Sequence, residues 1–345
     1  MKNFDYGKLL GGAWNIIWKN KSLWLFGFLT ALAGEIGGNG SNLINLGNRF
    51  LNGDLEKMTE YMPKEWVDII RQLSGLQWSE IQTYVFLGLG CCLISMAVLR
   101  VIGVFGFGGL IKGIQEADSG RAVSVPMGLV FGRRYFWRVF GIEAVDILIR
   151  MAAALVLILI LFAALFGALL GGGFLLAAPM VFLAVYCPLF CCFLAGINIL
   201  SFFLFFCRLS VVLEDASFRA SFGRAAAVLR RSIGPVFILC AVYFVVALGV
   251  NFLGLLILTP AIGVFTAGLL PMIQQTGMVN VALVEIGLAL FVIQIPISWW
   301  ITAVWVSWGN ALFSLFFLRA AEIAGNADAG RKVLPVELPT VGKPA

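Results

Sequence analysis

Histidine is absent from all 345 residues, and only 12% of the chain is charged. The first absence removes the commonest general base and the commonest metal ligand. The second sets the chain apart from soluble domains, in which about 25% of residues are charged. No dinucleotide-binding, phosphate-loop or intramembrane-protease motif occurs. No disulfide framework is implied either. The seven cysteines (Cys91, Cys92, Cys187, Cys191, Cys192, Cys207 and Cys240) are an odd number and all lie in apolar runs, where thiols behave as small hydrophobes. Cys187 and Cys191 are one helical turn apart, but an apolar helix disfavours the thiolate that would bind a soft metal. No metal site and no cofactor is expected.

What the chain has is apolar surface. Hydrophobic residues make up 61% of it, mean hydropathy is +0.98, and 151–170 contains no ionisable residue. About 20 apolar residues in a helix cross a bilayer core. The chain is therefore expected to be an integral membrane protein. The formal net charge of +6 matters less than where Lys and Arg fall.

Segment 4–20 is amphipathic, with Leu9, Leu10, Ala13, Trp14, Ile17 and Trp18 at helical spacing, and predicts an interfacial helix. Residues 22–34 predict a short, retained first span rather than a cleaved signal, ended by glycines at 37–40. The polar stretch 41–79 predicts a short surface helix around Trp66, Ile69, Ile70 and Leu73. Further spans are expected at 84–115, 140–170, 236–258 and 286–318. Residues 171–173 read as a glycine turn, 217–232 as basic and amphipathic, and 260–281 as a partly inserted loop. Segment 174–213 would be roughly 60 Å long as one helix; it is one helix bent near Pro188 or a pair.

Basic clusters decide between these. Lys19 and Lys21, then Arg121, Arg133, Arg134 and Arg138, then Arg219, Arg224, Arg230 and Arg231, then Arg331 and Lys332 all belong on the cytoplasmic side. Two crossings per interval satisfy this, which favours the bent helix. The expected fold is an all-α polytopic membrane protein: six transmembrane helices in three helical hairpins, with amphipathic interfacial helices and both termini cytoplasmic. A single domain spans 1–324, with an extracytoplasmic insertion at 37–79 and a mobile cytoplasmic tail at 325–345.

A threefold repeat is readable at 1–118, 119–215 and 216–324. Each unit opens on a basic-aromatic segment, and the second and third share Phe-Gly-Arg at 131–133 and 222–224. Returning helices end on a cation followed by acids: Lys112 with Glu116 and Asp118, Arg208 with Glu214 and Asp215, Arg319 with Glu322. Convergent chemistry at membrane edges is the alternative. The openings at 19–27 (KNKSLWLFG) and 208–224 (RLSVVLEDASFRASFGR), with Leu229-Arg230-Arg231 after the second, resemble a prokaryotic six-helix membrane family. That family is similar to the membrane domain attached to some glycerophosphodiester phosphodiesterases and to related domains of unknown function. The resemblance covers most of the chain except 41–79 and the tail. It implies a six-helix fold. It carries over no catalysis, because the phosphodiesterase module uses histidines.

Three groups of residues are candidates for function. Arg100, Glu143, Asp146 and Arg150 place charge within or beside the spans, and the last three share a helix face. An ionisable group deep in a bilayer is normally paired or lines a cavity. The group is thus a polar path, a structural salt bridge, or a wet helix end protruding from the membrane. Gly103, Gly106, Gly109 and Gly113 form a stripe that admits close helix packing. Trp299, Trp300, Trp305 and Trp308 form an aromatic contact face for lipid or a partner chain. Asn198, Asn251 and Asn310 are expected to hydrogen-bond across helices.

The leading expectation is a non-enzymatic prokaryotic inner-membrane protein. It would be a scaffold or accessory subunit contacting membrane lipids, copies of itself (a homo-oligomer) or a larger membrane complex, with no nucleic acid partner. A transporter or channel for lipid or small solute using the charge cluster is the alternative, and an intramembrane enzyme ranks third.

Overall fold

The computed structural model describes residues 5–34, 78–170, 187–273 and 279–325. The expected surface helix near 66–73, the glycine turn at 171–173, the first half of 174–213 and the tail lie outside these residues. The described secondary structure is entirely helical. In chain order the helices are α1 (Tyr6–Lys19), α2 (Ser22–Gly34), α3 (Trp78–Asp118), α4 (Val125–Leu170), α5 (Cys187–Leu213), α6 (Phe218–Arg231), α7 (Ile233–Ile273) and α8 (Val281–Gly325). Four helical stretches among the described residues are long and apolar enough to cross a membrane: Gln82–Asp118, Phe190–Leu213, Ile233–Pro271 and Val281–Ile323. This is a helical membrane protein.

The basic-aromatic segment 131–138 and the span expected from 140 form one helix, the 46-residue α4, because nothing between Phe136 and Phe140 interrupts it. By contrast, Asn20 and Lys21 separate α1 from α2, and Ser232 separates α6 from α7. The residues group into two compact units, one drawn from Met1–Phe136 and Phe237–Leu312, the other from Trp137–Val236 and Phe313–Ala345.

In the first unit, α2 is the central element although it is the shortest. At about 1.5 Å per residue its 13 residues cover roughly 20 Å. It runs antiparallel to α3 and presses Leu23, Phe26 and Leu29 onto Gly113, Gly109 and Gly106 in turn. A Cβ on Gly109 would lie 2.9 Å from the Phe26 ring and 2.7 Å from the carbonyl oxygen of Gly128 on α4. A Cβ on Gly128 would overlap the Phe26 ring itself. Phe26 is fully buried in this glycine-lined seat. Beside it α3 and α4 cross backbone to backbone, with a Cβ on Gly108 only 3.3 Å from Gly132 Cα.

An adjacent side of α2 meets α8. A Cβ on Gly27 would collide with Ser307 Oγ and come within 2.6 Å of the Ala303 carbonyl. The Ser307 hydroxyl donates to the carbonyls of Ala303 (2.8 Å) and Leu23 (3.1 Å). Ser22 Oγ donates to Val123 O at 2.6 Å, and Trp24 Nε1 to Ile17 O at 3.1 Å. The Ile17 carbonyl lies in the last turn of α1, where it has no intrahelical partner, and Trp24 supplies one.

Helix α1 buries Leu9, Ala13 and Ile17 completely. Its apolar stripe is thus consumed by protein packing, and Trp14 and Trp18 stay half exposed. Asp5 caps the helix by accepting from Lys8 N at 3.1 Å. That backbone hydrogen bond, helped by the Lys8 ammonium, holds the Asp5 carboxyl below its usual value.

Helices α7 and α8 pack antiparallel. Gly268 lies against Val284, Gly287 against Phe265 and Gly309 against Tyr243, and Asn280 N donates to Gly268 O at 3.0 Å. The expectation of a loop at 260–281 is corrected here, since α7 stays helical through Pro260 to Ile273. A proline removes one hydrogen bond but does not end a helix that packing supports. Gly268 is small to admit α8, not to form a turn.

In the second unit α4 and α5 are antiparallel. Helix α5 also contacts the end of α8 through Phe202, Phe205 and Phe206 against Phe313, Phe316 and Phe317, with ring centroids 5.7–6.5 Å apart. Amphipathic α6 is capped by Ser217 and buries Ser221, Ala225 and Val228.

Because overpacking a filled site costs about 1–3 kcal/mol or more, Gly128→Val should lower the thermal midpoint of the purified protein clearly. Gly88→Ala, where a Cβ meets nothing within 4 Å, should leave it unchanged or raise it slightly. Scanning calorimetry in one detergent compares the two.

Candidate functional site: an ion-pair ladder between two helices

Helix α4 offers Arg138, Glu143, Asp146 and Arg150 in succession, and α5 with the turn after it offers Ser201, Arg208, Glu214 and Asp215. Their antiparallel run brings these into register. Arg138 Nη1 donates to Asp215 Oδ1 at 2.6 Å. Glu143 accepts from Arg208 in a salt bridge. Asp146 Oδ1 accepts from Ser201 Oγ at 2.7 Å, and its Oδ2 accepts from Arg150 Nε at 3.0 Å. Below them Arg224 of α6 holds Glu214 by both carboxylate oxygens, at 2.8–3.0 Å.

Burial separates the rungs. Glu143 and Asp146 are each only 4% exposed. The Arg150 side chain is 52% exposed, so its charge lies partly outside while its Nε seals the acid. Arg138–Asp215 is open to solvent on both sides. Each acid has a cation, and Asp146 has a hydroxyl as well. A buried charge is tolerated when paired and hydrogen-bonded, which this ladder provides.

The turn below the ladder is built locally. Asp215 has φ +53°, a left-handed conformation that Asp tolerates better than most residues. It turns the chain from α5 into the Ser217 cap, and Arg138 fixes it. Gly120, with φ +81°, occupies the corresponding place between α3 and α4, where Arg121 pairs with Glu116 at 2.8 Å.

Of the four charges grouped from sequence, Glu143, Asp146 and Arg150 share one face of α4 in the second unit, and Arg100 belongs to the first. Sequence reading missed Arg208 and Ser201 as partners. It read Arg208, followed by Glu214 and Asp215, only as the cation-then-acids ending of a returning helix. The usable signal was register: placing 138 opposite 215 in an antiparallel pair brings 143 toward 208, although the same register sets 146 opposite 207, more than a turn from Ser201.

The glycine and tryptophan candidates lie in the first unit. Gly106, Gly109 and Gly113 receive α2, and Gly103 is buried on α3. Trp300 meets Trp24 at 5.8 Å and Trp299 meets Phe28 at 5.7 Å. Tyr243 stacks on Trp305 at 4.9 Å and lies parallel to Trp308 at 6.2 Å. One reading needs correction. Asn198, Asn251 and Asn310 donate to Leu194, Ala247 and Val306 of their own helices, at 2.8 Å each; the carbonyl four residues back is the nearest acceptor. Cys91, Cys92, Cys191 and Cys192 are exposed on helix surfaces, and a thiol is apolar enough to face lipid. Among the described residues no cluster of metal-ligating side chains occurs.

Truncating one partner of a buried pair strands the other and costs about 3–5 kcal/mol, whereas replacing both by apolar residues is near neutral. Glu143→Leu alone should therefore lower the unfolding midpoint strongly, and Glu143→Leu with Arg208→Met should recover most of the loss. A double-mutant cycle by thermal denaturation measures this coupling.

Compared with models of known families, with curated proteins and with solved structures, the chain matches none of them.

Proposed function

We propose that this chain is a non-enzymatic packing subunit of a membrane assembly, a scaffold or accessory component. The observation that carries the reading is a continuous apolar line on α7. Phe237, Phe244, Leu248, Phe252 and Leu255 recur every three, four or seven residues and are all more than half exposed on the chain alone. In a bilayer such a face meets lipid or another membrane helix. The ladder fits the same role. Its acids are spent on cations of α4, α5 and α6, so it ties these helices together and leaves none of its own carboxylates unpaired for chemistry.

Six spans in three hairpins complete the proposal. Helix α4 contributes its ion-free 151–170 run as a crossing, and α2 contributes a short one. The basic segments at 19–21, 133–138 and 219–231 lie on the cytoplasmic side of a prokaryotic inner membrane, with both termini there. The resemblance to the membrane domain of the phosphodiesterase-linked family belongs to this reading. A second reading, transport of a small solute, is favoured by one observation: Arg150 reaches the surface while Asp146 behind it is buried.

Light scattering of the detergent-extracted protein, with the lipid and detergent mass subtracted, separates the two readings. An assembly subunit gives a protein mass above the 37.5 kDa chain or brings a membrane partner with it. Its proteoliposomes also leak solutes no faster than protein-free ones. A monomer whose solute flux disappears in Asp146→Asn would establish transport instead.

A further inference from the structure

We propose that the outer face of α6 binds the phosphate headgroups of anionic phospholipids. The inference rests on the membrane placement above but not on the assembly role. Helix α6 turns Ser221, Ala225 and Val228 into the protein. On a 3.6-residue helix, Arg219 and Arg230 fall on the face opposite those three. Both are exposed.

The acids near this helix are already committed. Glu214 is held by both oxygens to Arg224, and Asp215 to Arg138. No acid among the described residues pairs with Arg219 or Arg230. The helix therefore keeps an unneutralised outer row of positive charge, and the acids that might have cancelled it are turned to the opposite flank.

The flank suits an interface. Phe218, Phe222 and Leu229 follow one another on the side between the buried and basic faces, and Phe218 is exposed. Trp137, on the same unit and next to the Arg138–Asp215 pair, is 75% exposed, and Trp is favoured at headgroup depth. Basic residues on an amphipathic helix attract anionic lipid. Arg219 and Arg230 lie 11 residues apart, about 16 Å along the axis, so they reach two separate phosphates. Arg presents a planar fork of donors that matches a phosphate.

The test titrates the full-length protein in a neutral detergent with phosphatidylglycerol, phosphatidylcholine or inorganic phosphate and follows its thermal midpoint. Phosphatidylglycerol should stabilise the wild type in a salt-sensitive manner, and phosphatidylcholine should do so less. In Arg219→Gln/Arg230→Gln the lipid needed for half the effect should rise roughly 25-fold, about fivefold per arginine, with the midpoint in phosphatidylcholine unchanged. Arg219→Lys/Arg230→Lys should retain much of the effect. Equal response to both lipids, or an undiminished phosphatidylglycerol response in the glutamine variant, overturns the proposal. So does an inorganic phosphate response equal to that of phosphatidylglycerol, which would assign the site to a free anion. Failure of the protein to enter lipid at all would instead overturn the membrane placement.

Discussion

Hydrocarbon offers no hydrogen-bond partner, so every polar group taken into it must be met from within the protein. Most of this structure follows from that constraint. Backbone groups are met by long helices. Asn198, Asn251 and Asn310 are met by their own helices, and Glu143 and Asp146, buried within the protein, are met by neighbours in register. The hydrophobic effect does little to hold apolar helices together in lipid, and close packing takes over. The glycine seat of Phe26 serves that end in the first unit, and the ion ladder with its phenylalanine cluster does so in the second.

The two units thus use opposite chemistries for one task. Between α2 and its neighbours the contacts are made by leaving side chains out: Gly27, Gly106, Gly109, Gly113 and Gly128 each admit a neighbouring atom where a Cβ would sit. Between α4 and α5 they are made by adding charge. The first gives dispersion contacts at short range and tolerates no enlargement. The second fixes register, because a shift along the helices would separate Glu143 from Arg208 and Asp146 from Ser201 together.

Local elements were legible because their signals are local. The expected amphipathic segment 4–20 is α1 at Tyr6–Lys19, the short run 22–34 is α2, and the basic stretch 217–232 is α6 at Phe218–Arg231. Apolar periodicity and capping residues lie within each segment. Pairings were less legible because they depend on register between segments distant in the chain. Arg208 pairs 65 residues away with Glu143, not with the acids that follow it. Prolines misled for a related reason: Pro260 and Pro271 read as breaks by local rules, yet packing on α8 carries α7 through them. The glycine stripe was visible as a packing surface, but nothing in its spacing named α2 as the occupant.

The proposed topology has a single consequence on which the functional reading and the α6 site both depend: the basic segments 133–138 and 219–231 face the same side of the membrane. Single cysteines in place of Arg133 and Arg219, in a background lacking the native seven, can be probed in sealed inverted vesicles and in intact cells with a membrane-impermeant maleimide. Both positions should label in inverted vesicles and neither in intact cells. Labelling of one from each side would contradict the three-hairpin arrangement.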